Sequence, residues 1–162
     1  MGVTVPEIVR GRYTHDHEGP LVVFLIGMRV NRWWRPDVWL PSFRAMTPMM
    51  DELYADPSSG FLGGRTVVGA WGPTVIQYWS SAEQLYAYAS DTDARHRPAW
   101  AEFNKRIRRH PGVSGIWHET YVVQRAESIY VDMPLTGLAR MAGNRPITGR
   151  TDGAAARRGG AR

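Results

Sequence analysis

The chain of 162 residues has no cysteine, a single lysine (Lys105) and no long apolar run. The first absence excludes disulfides, thiolate catalysis and Cys-ligated metal sites. The longest early run, Leu21 to Met28, is far shorter than the roughly 20 residues a membrane helix needs, and it starts too late for a signal peptide. A soluble, cytoplasmic protein with no membrane partner is expected. No Gly-x-Gly-x-x-Gly follows a predicted strand and no phosphate-cradling loop occurs, so a flavin or nicotinamide site of the usual kind is not expected.

The charge is unevenly spread. From Gly137 onward there are six arginines and one acid, Asp152, which leaves fourteen basic and fourteen acidic residues before that point. The neutral body argues against a specific nucleic-acid partner. Residues 142–162 are rich in Arg, Gly and Ala, with no large apolar side chain after Ile147. They are expected to form a disordered, solubilising tail, because they bury too little surface to offset their ordering entropy. Residues 1–20 are polar and read as an N-terminal arm. Its His15-Asp16-His17 has no third ligand nearby, so a solvated loop is expected in preference to a metal site. No metal is expected elsewhere.

What is abundant is aromatic: seven Trp, seven Tyr and four Phe. These side chains serve equally as core, as pocket walls for flat apolar ligands, or as a dimer interface. Leu21 to Val30 reads as a buried strand. Trp39, Phe43, Met46, Met50 and Leu53 then make one helical stripe over about 37–55, with Pro48 expected to kink it. Phe61 to Trp71 and Thr74 to Trp79 read as a hairpin turning at Gly72-Pro73, with a bulge or a close backbone approach at Gly63-Gly64. Ser80 or Ser81 caps a helix to about Ala89. A second helix reaches Arg109, with His96, Trp100, Phe103 and Ile107 on one face if it extends back that far. Val113 to Gln124 is a strand, and Ser128 to Val131 a short edge strand. The order is the ferredoxin-like βαββαβ pattern of an α+β fold. It predicts an antiparallel four-stranded sheet with helices on one face. The other face is also apolar, so a second copy is expected to cover it in a homodimer.

Gly115-Ile116-Trp117-His118-Glu119-Thr120-Tyr121 sets a histidine and a carboxylate side by side in an apolar strand. Alternation sends Ile116, His118, Thr120 and Val122 to one face and Trp117, Glu119, Tyr121 and Val123 to the other. Burying such groups is costly unless they are paired, so the strand holds either a satisfied network or a site. An imidazole titrates near neutrality, so His118 or His96 can remove a phenolic or α-carbonyl proton. Arg29 can stabilise the developing oxyanion, and Asn31 can donate to the same oxygen. For Arg29 the competing explanation is a salt bridge to Glu119 or Asp37. Trp33, Trp34, Trp79 and Trp100 are candidate walls of an apolar pocket, with core packing as the alternative for each. Glu119 and Tyr121 complete the candidate substrate-binding set.

Five segments carry a resemblance. They are Gly27-Met28-Arg29-Val30-Asn31-Arg32-Trp33-Trp34, Gly60-Phe61-Leu62-Gly63-Gly64, Gln77-Tyr78-Trp79-Ser80, His96-x-x-Ala99-Trp100-x-x-Phe103-Asn104 and Gly115 to Tyr121. Over about Tyr13 to Met141 the chain resembles a bacterial and fungal family named after a monooxygenase of fumagillin biosynthesis, within the dimeric α/β-barrel superfamily. The resemblance implies a barrel domain at 21–141 and a cofactor-independent monooxygenase of the antibiotic-biosynthesis type. Its substrate, an electron-rich small molecule, is deprotonated and itself reduces oxygen. The superfamily also implies an alternative, a haem protein with His96 or His118 as axial ligand. A non-catalytic dimer binding an apolar or aromatic small molecule is the third reading.

Overall fold

Residues 6–91 and 96–158 are described in a computed structural model, without the side chains of His96 and Ala99. In chain order the strands are β1 (Ile8–His15), β2 (Leu21–Val30), β3 (Phe61–Gly69), β4 (Gly72–Trp79), β5 (Ser114–Val123), β6 (Tyr130–Pro134) and β7 (Asn144–Pro146). The helices are α1 (Pro36–Ala55), α2 (Ala82–Ser90), α3 (His96–Arg109), α4 (Gly137–Met141) and α5 (Ala154–Arg158). The chain divides into two compact units, Val22–Val122 and the paired segments Met1–Leu21 and Val123–Arg162. No helix among the described residues is long and apolar enough to cross a membrane.

The central unit has the α+β ferredoxin-like architecture. Its four strands lie in the order β3-β4-β2-β5, with β4 antiparallel to both β3 and β2. Alternation sets the faces. Val22 and Phe24 on β2, Phe61 on β3 and Trp79 on β4 meet Met50 and Leu53 of α1 and Ala82, Leu85 and Tyr88 of α2 in one core cluster. Trp79 is its centre, with no exposed surface, its ring against Phe61 and tilted to Tyr88. Its indole N–H donates to Gln77 Oε1 at 3.0 Å, so the one polar atom of a buried Trp is satisfied.

Local sequence explains the element ends. Pro36 sits in the first turn of α1, where its missing N–H costs nothing. The helix continues across Pro41 and Pro48 to Ala55. Ser81 caps α2 by accepting from the Gln84 N–H at 3.2 Å. The bulge falls at Leu62, just before the expected Gly63-Gly64, with Phe61 opposite Trp79 and Gly63 opposite Tyr78. Tyr54 of α1 holds it, its hydroxyl donating to the Gly64 carbonyl at 2.8 Å and accepting from the Gly64 N–H at 3.1 Å.

The hairpin turns at Ala70-Trp71, two residues before the expected Gly72-Pro73. Gly72 already pairs with Gly69 as the first residue of β4, at φ +135° and with the Met28 carbonyl where a Cβ would stand. Only glycine tolerates that combination. Pro73 is accommodated at the second position of the strand.

The terminal unit corrects two expectations. Residues 8–15 of the N-terminal arm form β1, the middle strand of a sheet in the order β6-β1-β7. The short strand expected at Ser128 to Val131 forms at Tyr130–Pro134 and pairs with β1, outside the four-stranded sheet. Tyr13 stacks on Tyr130 at 5.2 Å and is 2% exposed. Asp132, at φ +47°, accepts from the Gly11 N–H at 2.7 Å where the β1–β6 register shifts.

The expected disordered tail is also corrected within the described residues. Thr14 pairs with Arg145 and His15 with Asn144 across β1 and β7. The Arg157 side chain, 6% exposed, donates to Glu127 at 2.6 Å and to the Thr151 and Asp152 carbonyls. Backbone ladder bonds and one buried guanidinium anchor a segment whose lack of apolar residues suggested disorder. Residues 159–162 of that expectation lie outside the described residues.

Candidate active site

Alternation on β5 places His118 and Thr120 on the same face as Phe24 and Ile26 of β2 and Gln77 of β4. These five residues floor a cleft of about 320 Å³ under the helices. The α1 side supplies Met46, Met49 and Met50, the α2 side Leu85, Tyr86 and Tyr88, and α3 contributes Arg97 and Trp100. Unbranched, polarisable Met side chains adapt to flat ligands of varied outline. The polar groups are few: one imidazole, one guanidinium, one amide, two phenols and the Thr120 hydroxyl, with no carboxylate in the lining.

Three of the lining side chains have contacts that fix their surroundings. The His118 ring lies 5.7 Å from the Phe24 ring and tilted to it. Gln77 is oriented at both ends, its amide nitrogen on Met50 Sδ at 3.7 Å and its oxygen on Trp79. Burial, and secondarily the nearby Glu52 carboxylate, push the Tyr88 hydroxyl up to about 12, so this phenol stays neutral. Trp100 is 44% exposed and stacks on Phe103 at 5.7 Å.

Of the residues expected at the site, the cleft is lined by His118 and Trp100 alone. The side chain of His96 lies outside the described residues, although the residue begins α3. Arg29 has the opposite parity on β2 to Phe24 and Ile26. Its Nε donates to Asn31 Oδ1 at 2.8 Å and its guanidinium covers the Trp71 ring at 4.6 Å. Neither Glu119 nor Asp37 pairs with it, because Glu119 accepts from Tyr121 at 2.9 Å and Asp37 binds Arg35 at 2.7 Å. Glu119 and Tyr121 sit on the face opposite His118, as alternation predicts, and the carboxylate raises the Tyr121 hydroxyl above its ordinary value through their hydrogen bond. Trp33 and Trp34 are 75% and 59% exposed and pack edge to face on each other. Trp79 is core, and its expected place in the pocket wall is corrected.

Sequence reasoning missed Met49, Arg97 and Tyr88 as lining residues. Helical spacing signals Met49, one residue off the Met46–Met50 stripe, only once α2 and α3 flank it. Among the described residues no group of three His, Asp or Glu side chains stands close enough to hold a metal ion.

Monooxygenase af470 of Aspergillus fumigatus is 27% identical over 169 residues, covering 91% of this chain and 59% of that protein, so the chain spans about three fifths of its length. Aldoxime dehydratase OxdRE has a similar fold at a TM-score of 0.61 with 17% identity, over 86% of this chain and 44% of that one. SnoaB, a cofactor-independent oxygenase from Streptomyces nogalater, superposes at a TM-score of 0.47 with 10% identity, over 67% of this chain and 97% of its own. The family model described as monooxygenase af470-like matches residues 21–138, and the chain belongs to that family.

Proposed function

We propose that this chain is a cofactor-independent monooxygenase acting on an electron-rich aromatic or polyketide-like small molecule bound in the Met-lined cleft. The observation that carries the reading is a mostly apolar cleft whose strand floor presents one imidazole, His118, with no carboxylate in the lining. His118 acts as general base on an acidic C–H or phenol of the substrate. The mostly apolar walls offer the resulting anion few hydrogen-bond donors, which keeps it electron-rich and reducing. It passes one electron to oxygen, and the two radicals join as a peroxide. The imidazolium returns its proton, and loss of water leaves a carbonyl. One oxygen atom enters the substrate and the other leaves as water, the electrons coming from the oxidised carbon. Arg97 and the neutral Tyr88 phenol are placed to bind the substrate's oxygen substituents.

Two copies are proposed to pair through the sheet face opposite the helices. That face carries Trp117, 40% exposed with its indole against Gly27, together with Tyr121 and Val67. Light scattering at micromolar concentration is expected to report twice the chain mass.

The activity is tested with anthrone as probe in an oxygen electrode, with no cofactor added. Anthrone-dependent oxygen uptake and incorporation of one labelled oxygen atom are expected. Absence of uptake by protein that binds the probe overturns the reading. A Soret band in protein made with ample haem, lost in His118→Ala, replaces it with the haem-protein alternative.

A further inference from the structure

We propose that a second cleft, within the terminal unit, binds a small tetrahedral oxyanion, either phosphate or the phosphate group of a monoester. Its volume is also about 320 Å³, and its lining includes His15, Arg125, Arg145, Arg157 and Arg158, with Glu18 the one acid among the lining residues.

Three observations carry the assignment. First, four arginines line one cleft, and the acids beside them engage only two. Asp16 stands 3.7 Å from Arg145 and Glu127 stands 2.6 Å from Arg157, whereas Arg125 and Arg158 make no ion pair with a described residue. Like charges gathered in one cleft repel unless an anion joins them, and the planar guanidinium fork matches phosphate oxygens. Second, Arg145 Nε, the atom 3.7 Å from Asp16, is buried with no acceptor within hydrogen-bond distance. A buried donor left unmade costs free energy, and a ligand oxygen would satisfy it.

Third, His15 is 6% exposed and oriented. Its backbone N–H donates to Ser128 Oγ at 3.1 Å, and its Nδ1 meets the same oxygen at 2.7 Å. That leaves Nε2 as the ring nitrogen able to meet a ligand. Burial, then His17 and Arg145, lower the affinity of this imidazole for a proton, and Glu127 and Asp16 oppose them. His17 is held on the Pro20 carbonyl at 2.9 Å. An oxyanion in the cleft reverses the balance, because a protonated His15 then donates from both nitrogens, to Ser128 and to the ligand. Anion binding is thereby coupled to proton uptake.

Calorimetric titration of the full chain with sodium sulfate tests this, sulfate being an oxyanion that does not itself titrate near neutrality. Saturable binding is expected, tightening as pH falls from 7.5 to 5.5. Arg125→Ala and Arg158→Ala are each expected to weaken it by about fivefold or more, the scale of one exposed charge-assisted hydrogen bond. Both side chains are exposed, so melting temperature without anion is unchanged, whereas Arg44→Ala on α1 leaves the binding intact. Phosphate is expected to compete with sulfate. Tighter competition by phenyl phosphate supports a monoester as the ligand, and equal competition supports the free anion. Three results overturn the proposal: no saturation beyond what potassium chloride produces at matched ionic strength, wild-type affinity in both arginine variants, or equal weakening by Arg44→Ala.

Discussion

The two clefts have the same volume, about 320 Å³, and opposite chemistry. The cleft of the central unit is walled by methionines and aromatics, with one histidine on its strand floor. That of the terminal unit is walled by guanidiniums around a histidine bonded to Ser128. Volume therefore says little about what either accepts. What differs is the state in which each surrounding holds an imidazole. His118 is exposed and lies tilted against the Phe24 ring on the floor of a mostly apolar cleft. Burial first, then His17 and Arg145, disfavours the charge of His15, and in the proposed reading a bound anion offsets them. In the functions proposed above, the first imidazole abstracts a proton and the second takes part in proton-linked anion capture.

The largest expected effect that would break this contrast is on turnover. His118→Ala should lower anthrone-dependent oxygen uptake by about 10²–10⁴-fold, the contribution of a general base, while His15→Ala leaves it within about threefold. Equal losses in both would mean that the two imidazoles are not separate in function.

Stability comes next. Trp79→Ala empties the centre of the core and should cost about 3–5 kcal/mol in urea unfolding, whereas Trp33→Ala, on an exposed ring, should fall within about 0.5 kcal/mol. A small effect at Trp79 would return it to the role of a pocket wall. Arg157→Ala strands the Glu127 carboxylate. Because that side chain keeps 26% of its surface exposed, the expected loss is below the roughly 3–5 kcal/mol of a fully buried pair. Truncation after Gly143 should cost more, since it also removes β7. Unchanged melting on truncation would restore the reading of this segment as a tail.

The smallest effects are on pH dependence, and they have opposite signs in the two units. His15 binds its proton less readily folded than unfolded, so its contribution is complete above the unfolded value near 6.5. It is lost as pH falls toward the lower folded value. Tyr88 is raised from 10 to about 12, so its contribution is complete below pH 10 and is lost as pH climbs from there toward 12. His15→Asn should flatten the acid limb and Tyr88→Phe the alkaline limb, each read from midpoints of chemical unfolding across pH.

Much of the central unit was legible because its signals are local. The doubly apolar strand at Leu21, the stripe through Met46, Met50 and Leu53, the Ser81 cap and the glycine pair at 63–64 each act within a few residues. Strand parity on β5 was equally legible, and His118 and Glu119 do face opposite ways. Parity within one strand does not say which residues of another strand share its covered face. Hence Arg29 and Asn31, grouped with His118 by chemistry, lie on β2 or just beyond it with Arg29 turned from the cleft. Trp79 looked like a pocket aromatic because composition cannot tell a satisfied core indole from a ligand wall. His15 looked solvated because its partner, Ser128, is 113 residues away.

The sequence by itself determined the βαββαβ order, the absence of thiol chemistry and a floor strand carrying one histidine, because periodicity and residue type are properties of neighbours along the chain. Only the tertiary structure decided that the arginine-rich segment closes onto β1, that four arginines of distant segments share one cleft, and that methionines of α1 stand over His118. Those arrangements rest on hydrogen bonds and packing between residues far apart in sequence, whose free energies exist only once the chain has closed on itself.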